Sequence, residues 1–121
     1  VSNVFQEELI RRGITSGSQL AERLSAPAAI FFFAGGPRPY AELWHWDGEG
    51  GRTVSTHWPR FPNMTLTASR KKTVEAAQNE AAKDLGLVQW SRSPFSNCWL
   101  PTRIVDEARA QFMGESPSKT G

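Results

Sequence analysis

Arg70, Lys71 and Lys72 form the longest basic run in the chain. One guanidinium and two ammonium groups in a row supply charge-assisted hydrogen bonds, and phosphate oxygens are the acceptors they suit. No other set of reactive side chains gathers into a constellation. His45 and His57 sit in separate segments with no third ligand beside them, so neither a metal site nor an acid/base pair is expected. Ser69, Ser91 and Ser93 lie outside any nucleophile motif. The stretch "GEGGRT" has neither the lysine nor the spacing of a nucleotide-binding loop. Cys98 is the single cysteine, so no intrachain disulfide can form, and a small packed residue is the expected role. These residues predict a non-catalytic chain without metal or cofactor.

Composition narrows the setting. A chain of 121 residues suits one domain and can bury a core without disulfides. An apolar share of 39% against 21% charged residues describes a folded segment. Fourteen basic and twelve acidic side chains leave a formal charge of only +2, so any electrostatic footprint must come from clustering. No apolar run reaches membrane-spanning length. The thiol-poor composition fits a reducing, intracellular compartment. The opening valine and the polar tail "GESPSKTG" read as those of a segment from a longer protein.

The elements that must carry the basic run follow from periodicity. "SNVFQEELIRRGI" predicts a helix over 3–12, capped by Ser2 or Asn3, with Phe5 and Leu9 on one face and Gly13 as a stop. A short helix from Ser18 to Leu24 is ended by Pro27. "AAIFFFAGG" reads as a buried strand. "YAELWHW" and "RTVSTHWP" form a hairpin about "DGEGG", with Trp44 and Trp46 on one face and Leu43 and His45 on the other. "NMTLTA" is expected as a further strand, with Met64, Leu66 and Ala68 on one face, so that strands fall within 28–68. A helix over 70–84 carries the stripe Val74, Ala77, Ala81 and Leu85, and Gly86 stops it. A helix over 101–112, opened by Pro101, has Ile104, Val105, Ala108 and Phe112 on one face. The expected architecture is α+β, with helices on one face of an antiparallel sheet. It comprises a domain over 1–90, an extension over 91–113 and a flexible tail over 114–121.

A strand, then "SRKK", then an alanine-rich helix closing on "LGL" resembles the end of a double-stranded-RNA-binding domain. The pairing of "THWP" with "NMTLTASRKK" is most similar to divergent domains of this family that precede the motor of some DExH-box RNA helicases. The similarity is good from Thr53 to Val88 and weak upstream. It implies an α-β-β-β-α fold, here with an appended C-terminal helix, and a double-stranded or structured RNA partner in RNA processing. Lys71 and Lys72 match the family's lysine pair, with Arg70 before them, and Gln6 and Glu7 lie where its first helix makes polar contacts. A loop between the family's first two strands supplies the third contact. If the first of these strands is Tyr40–Trp46, the preferred placement, that loop ends in Arg52. If it is 29–33, the loop begins "GGPRP" and offers Arg38. A-form RNA is recognised by shape, 2′-hydroxyls and phosphates over about 16 base pairs, so such charges position without reading sequence. Any ATPase would lie outside the segment, and helicases of this kind occur in cytosol, nucleus and mitochondria.

The departures define an alternative. Thr67, Ala68 and Ser69 stand where the family has glycines, and Glu75 stands at a further basic position, where it opposes phosphate. With Asp47, Glu49 and the near-neutral balance, they point to a domain serving protein assembly within a ribonucleoprotein complex. The five tryptophans bear on the same choice. Most are read as packing material. An exposed one would anchor a protein partner or, as the lesser alternative, stack single-stranded bases.

Overall fold

A computed structural model describes residues 4–35, 38–59, 63–86, 89–95 and 97–114. The expected caps Ser2 and Asn3, the closing Leu87 and the tail beyond Gly114 lie outside the described residues. The chain order is α1 (Val4–Arg11), α2 (Gly17–Arg23), β1 (Ala28–Phe33), β2 (Tyr40–Trp46), β3 (Arg52–His57), α3 (Leu66–Leu85), β4 (Trp90–Arg92), β5 (Cys98–Pro101) and α4 (Thr102–Met113). The strands form one antiparallel sheet in the order β3-β2-β1-β5-β4. The α+β class holds.

Two expectations are corrected. First, helices cover both faces of the sheet. On one face Ala28, Ile30 and Phe32 of β1, with Ala41 and Leu43 of β2, pack against Val74, Ala77 and Ala81 of α3. On the other, Ala29 of β1 and Cys98 and Leu100 of β5 join Phe5, Leu9, Leu20, Ile104 and Phe112 from α1, α2 and α4. The reason lies in β1, whose run "AAIFFF" is apolar at consecutive positions and buried from Ala28 to Ile30 without alternation. A strand at the centre of a sheet with both faces covered has this pattern.

Second, "NMTLTA" is not a strand. Thr65 caps α3, its Oγ1 accepting from the Ala68 amide at 3.1 Å, and helix begins at Leu66. The third place in the meander is taken by β3, which pairs along its length with β2 from Trp46–Arg52 to Ala41–His57. The buried stripe of α3 accordingly starts earlier, at Ser69 and Thr73, before Val74, Ala77 and Ala81. Thr73 sits there without an unpaired hydroxyl, since Oγ1 donates to the Ser69 carbonyl. Small side chains along the stripe let the helix approach the sheet closely. Gly86, at φ 79°, ends it in a conformation that side-chain-bearing residues rarely adopt.

The helix opened by Pro101 is α4, with Pro101 at the N-cap and Ile104, Val105, Ala108 and Phe112 buried. Beyond residue 90 the chain shares the core, since β5 pairs with β1 through Ile30–Trp99 and Phe31–Cys98.

Candidate functional site

The sequence-predicted contacts fall on three separate surfaces. Arg70, Lys71 and Lys72 lie on α3, with Arg70 its fifth residue. They therefore stand on the second turn, beyond the first-turn amides where the dipole is felt most. Lys71 and Lys72 are exposed, and neither has an ion pair among the described residues. Arg70 is half-buried and leans toward the β4–β5 turn, where its Nη1 makes a long 3.5 Å contact to Asn97 Oδ1. Lys72 turns the other way, lining a shallow groove with His57, Trp58, Thr73 and Glu75. Glu75 is exposed one turn on, so the surface carries an acid among its cations.

Gln6 and Glu7 belong to α1, in the layer on the far side of the sheet from α3. They cannot share a binding surface with the lysines as the resemblance implies. In the same helix Glu8 holds Arg11 at 2.9 Å and Arg12 at 3.0 Å. Arg52 opens β3 and also points away from α3, with its guanidinium 4.1 Å from the Trp44 ring centroid. The hairpin before it is organised by Asp47, whose Oδ1 accepts from the amides of Glu49 at 2.7 Å and Gly51 at 3.0 Å. Those hydrogen bonds, Glu49 first, hold its carboxyl below the ordinary value.

The two histidines do not meet. Both face α3, but His45 lies opposite Thr53 and His57 opposite Ala41. Each finds an acid on the helix instead. His57 Nε2 is 2.8 Å from Glu80 Oε1 without an aligned hydrogen bond, and His45 Nδ1 is 3.7 Å from Asp84 Oδ2. Among the described residues no three His, Cys, Asp or Glu side chains are placed to hold a metal ion. No described helix is long and apolar enough to cross a membrane.

Sequence reasoning missed the grouping of aromatic side chains on the face of β2 turned away from α3. Phe33 stacks on Tyr40 at 5.1 Å, Tyr40 lies 4.7 Å from Trp58, and Phe31 lies 4.6 Å from Trp44. Arg38 sits over Trp58 at 5.0 Å. The alternation of "YAELWHW" puts Trp44 and Trp46 on one side, and by the same period Tyr40 and Glu42. The neighbouring contributions of Phe33, Arg38, Arg52 and Trp58 required the strand register. No protein-family model, curated protein or solved structure matches the chain.

Proposed function

We propose that this chain is an RNA-binding module that holds double-stranded or structured RNA by its phosphates, through Arg70, Lys71 and Lys72. The observation that carries the reading is the state of Lys71 and Lys72. Both are exposed and without ion pairs among the described residues, on a helix whose opposite face is fixed to the sheet. Two ammonium groups on a rigid support suit backbone charge, and contacts of that kind position without selecting sequence. The resemblance of "SRKK" and the alanine-rich helix to the double-stranded-RNA-binding family supports the same partner. On this reading the chain is the non-catalytic recognition part of an RNA-processing protein such as a DExH-box helicase.

Titration with a duplex of about 16–20 base pairs at several salt concentrations tests it. Replacing Lys71 and Lys72 together by alanine should weaken binding and lower the slope of log K against log salt by about two contacts. An unchanged affinity and slope would remove the lysines from the interface.

A second reading, a protein-interaction module within a ribonucleoprotein complex, is favoured by one observation. Gln6 and Glu7 lie across the sheet from α3, so the surface lacks the family's second contact region. That reading predicts no measurable duplex binding at physiological salt.

A further inference from the structure

The face of the sheet turned away from α3 divides into two parts. Toward β5 it is covered by α1, α2 and α4, and Trp46 and Phe31 pack against that core. Toward β3 it is open. Phe33 is 38% exposed, Val54 41% and Trp58 47%. Tyr40 and Trp44 are half-buried between them. The open part therefore presents the rings of Phe33, Tyr40, Trp44 and Trp58, with Val54 among them, on an antiparallel ladder.

Its charges are arranged around those rings. Arg52 has its guanidinium carbon 4.1 Å from the Trp44 centroid, and Arg38 sits over Trp58 at 5.0 Å. The two arginines stand at opposite ends of β2, because Arg52 pairs with Trp46 and Arg38 precedes Tyr40. Tyr40 and Trp44 are four residues apart on one strand, so the two ring clusters are separated by about 14 Å. Glu42 lies between them and accepts the Trp44 indole N–H at 3.0 Å, which fixes that ring. Its second oxygen is an acceptor that suits the amino groups of bases and opposes phosphate.

We infer that this face binds single-stranded nucleic acid by stacking unpaired bases on the Tyr40–Trp58 and Trp44 clusters, with Arg38 and Arg52 taking the flanking phosphates. Three features favour bases over a protein partner. Two of the three exposed large apolar residues here, Phe33 and Trp58, are aromatic, and every base has a π-face that stacks on a ring. Planar guanidinium groups already rest on two of them, and arginine planes are themselves stacking partners for bases. The two arginines lie at the ends of the row with Glu42 between them, and Asp47 of the neighbouring hairpin is engaged by the Glu49 and Gly51 amides. The Trp44 cluster lies across the sheet from the lysines of α3, whereas Trp58 stands at the sheet edge, where it also lines the groove that holds Lys72.

The test is quenching of tryptophan fluorescence by an unstructured RNA of about 12 nucleotides, within the range of single-strand site sizes. The unaltered protein should bind and show saturable quenching. Trp58→Ala should lose roughly tenfold in affinity, the scale of one stacked base, while Trp58→Phe retains most of it. Arg52→Ala should weaken binding and reduce the salt slope by about one. Equal losses for the Phe and Ala variants, absence of single-strand binding, or affinity untouched by both Trp58→Ala and Arg52→Ala would overturn the inference. Recovery of a protein on this face that single-stranded RNA fails to displace would do the same. Lys71→Ala, outside the groove that Lys72 shares with Trp58, separates the two sites. Single-strand quenching that survives this change while duplex binding falls supports both, and duplex binding that fails in the unaltered protein leaves the single-strand measurement decisive here.

Discussion

Cys98 lies at the junction of β5 and α2, where its side chain fills the space beside Gly17. A methyl group at Gly17 would come within 3.0 Å of Cys98 Cβ and 3.3 Å of Phe31 Cε1, so only glycine lets the strand and helix approach this closely. Burial pushes the thiol up to about 11, and the Ser93 hydroxyl only partly opposes that shift. Since the thiolate is the reactive form, alkylation by iodoacetamide near pH 8 should run about a hundredfold slower than for a free thiol, and denaturant should restore the rate. The sign for stability follows from the raised value. The fold favours the neutral thiol, so this contribution is whole below the ordinary thiol range and is lost as pH rises toward about 11. Fast alkylation of the native protein would show that the site opens readily. That Cys98 is a packing residue was legible from its isolation among the other residue types. That its neighbour is Gly17 was not, because nothing local links positions 81 residues apart.

Among the elements, α3 decides where the basic run sits. Its N-terminus rests on Thr65, whose hydroxyl accepts the Ala68 amide while its carbonyl accepts the Ser69 amide at 2.8 Å. Thr65→Ala should cost about 1 kcal/mol, with Thr65→Asp retaining the stability, as read from urea unfolding midpoints. Equal losses in both variants would mean that the cap is not what holds the first turn. The same residue explains why this turn reads as a strand in sequence. Met64, Leu66 and Ala68 alternate over only five positions, too few to separate period 2 from the start of a helix. In the fold Leu66 is 54% exposed, so the alternation does not mark a buried face. By contrast Val74, Ala77 and Ala81 recur over two turns and were legible as the packed side of α3. Moving the helix start back to Leu66 also changes the meaning of the charges. On the second turn Lys71 and Lys72 are not strongly opposed by the helix dipole. Their support for an anionic partner rests on exposure and on the lack of an ion pair among the described residues.

At the scale of the molecule, the sheet separates two cores, and the chain contributes to them unevenly. Among the described residues the core opposite α3 has fourteen buried members, and seven of them, from Phe95 to Phe112, come from beyond residue 90. The alternating strands could announce that β2 has two unlike faces, but not which helix covers each. The unbroken apolar run of β1 did carry the signal for cover on both sides. It is also why the site resists assembly from sequence, since a one-sided arrangement brings α1 to the lysines and a two-sided one takes it away. The distribution of core residues makes a further demand. Leu100 and Ile104 have no measurable exposure, and β5 supplies the inner neighbour of β1. A chain ended at residue 89 would expose Leu9, Leu20 and Ala29 and leave β1 with an open edge. That truncated chain should lose its cooperative thermal transition, while the full chain melts in one step by circular dichroism. A sharp transition in the truncated form would mean that α3 and its three strands hold together without the opposite layer. The stacking face and the basic helix would then sit on an independent core, rather than on two sides of a sheet that needs both.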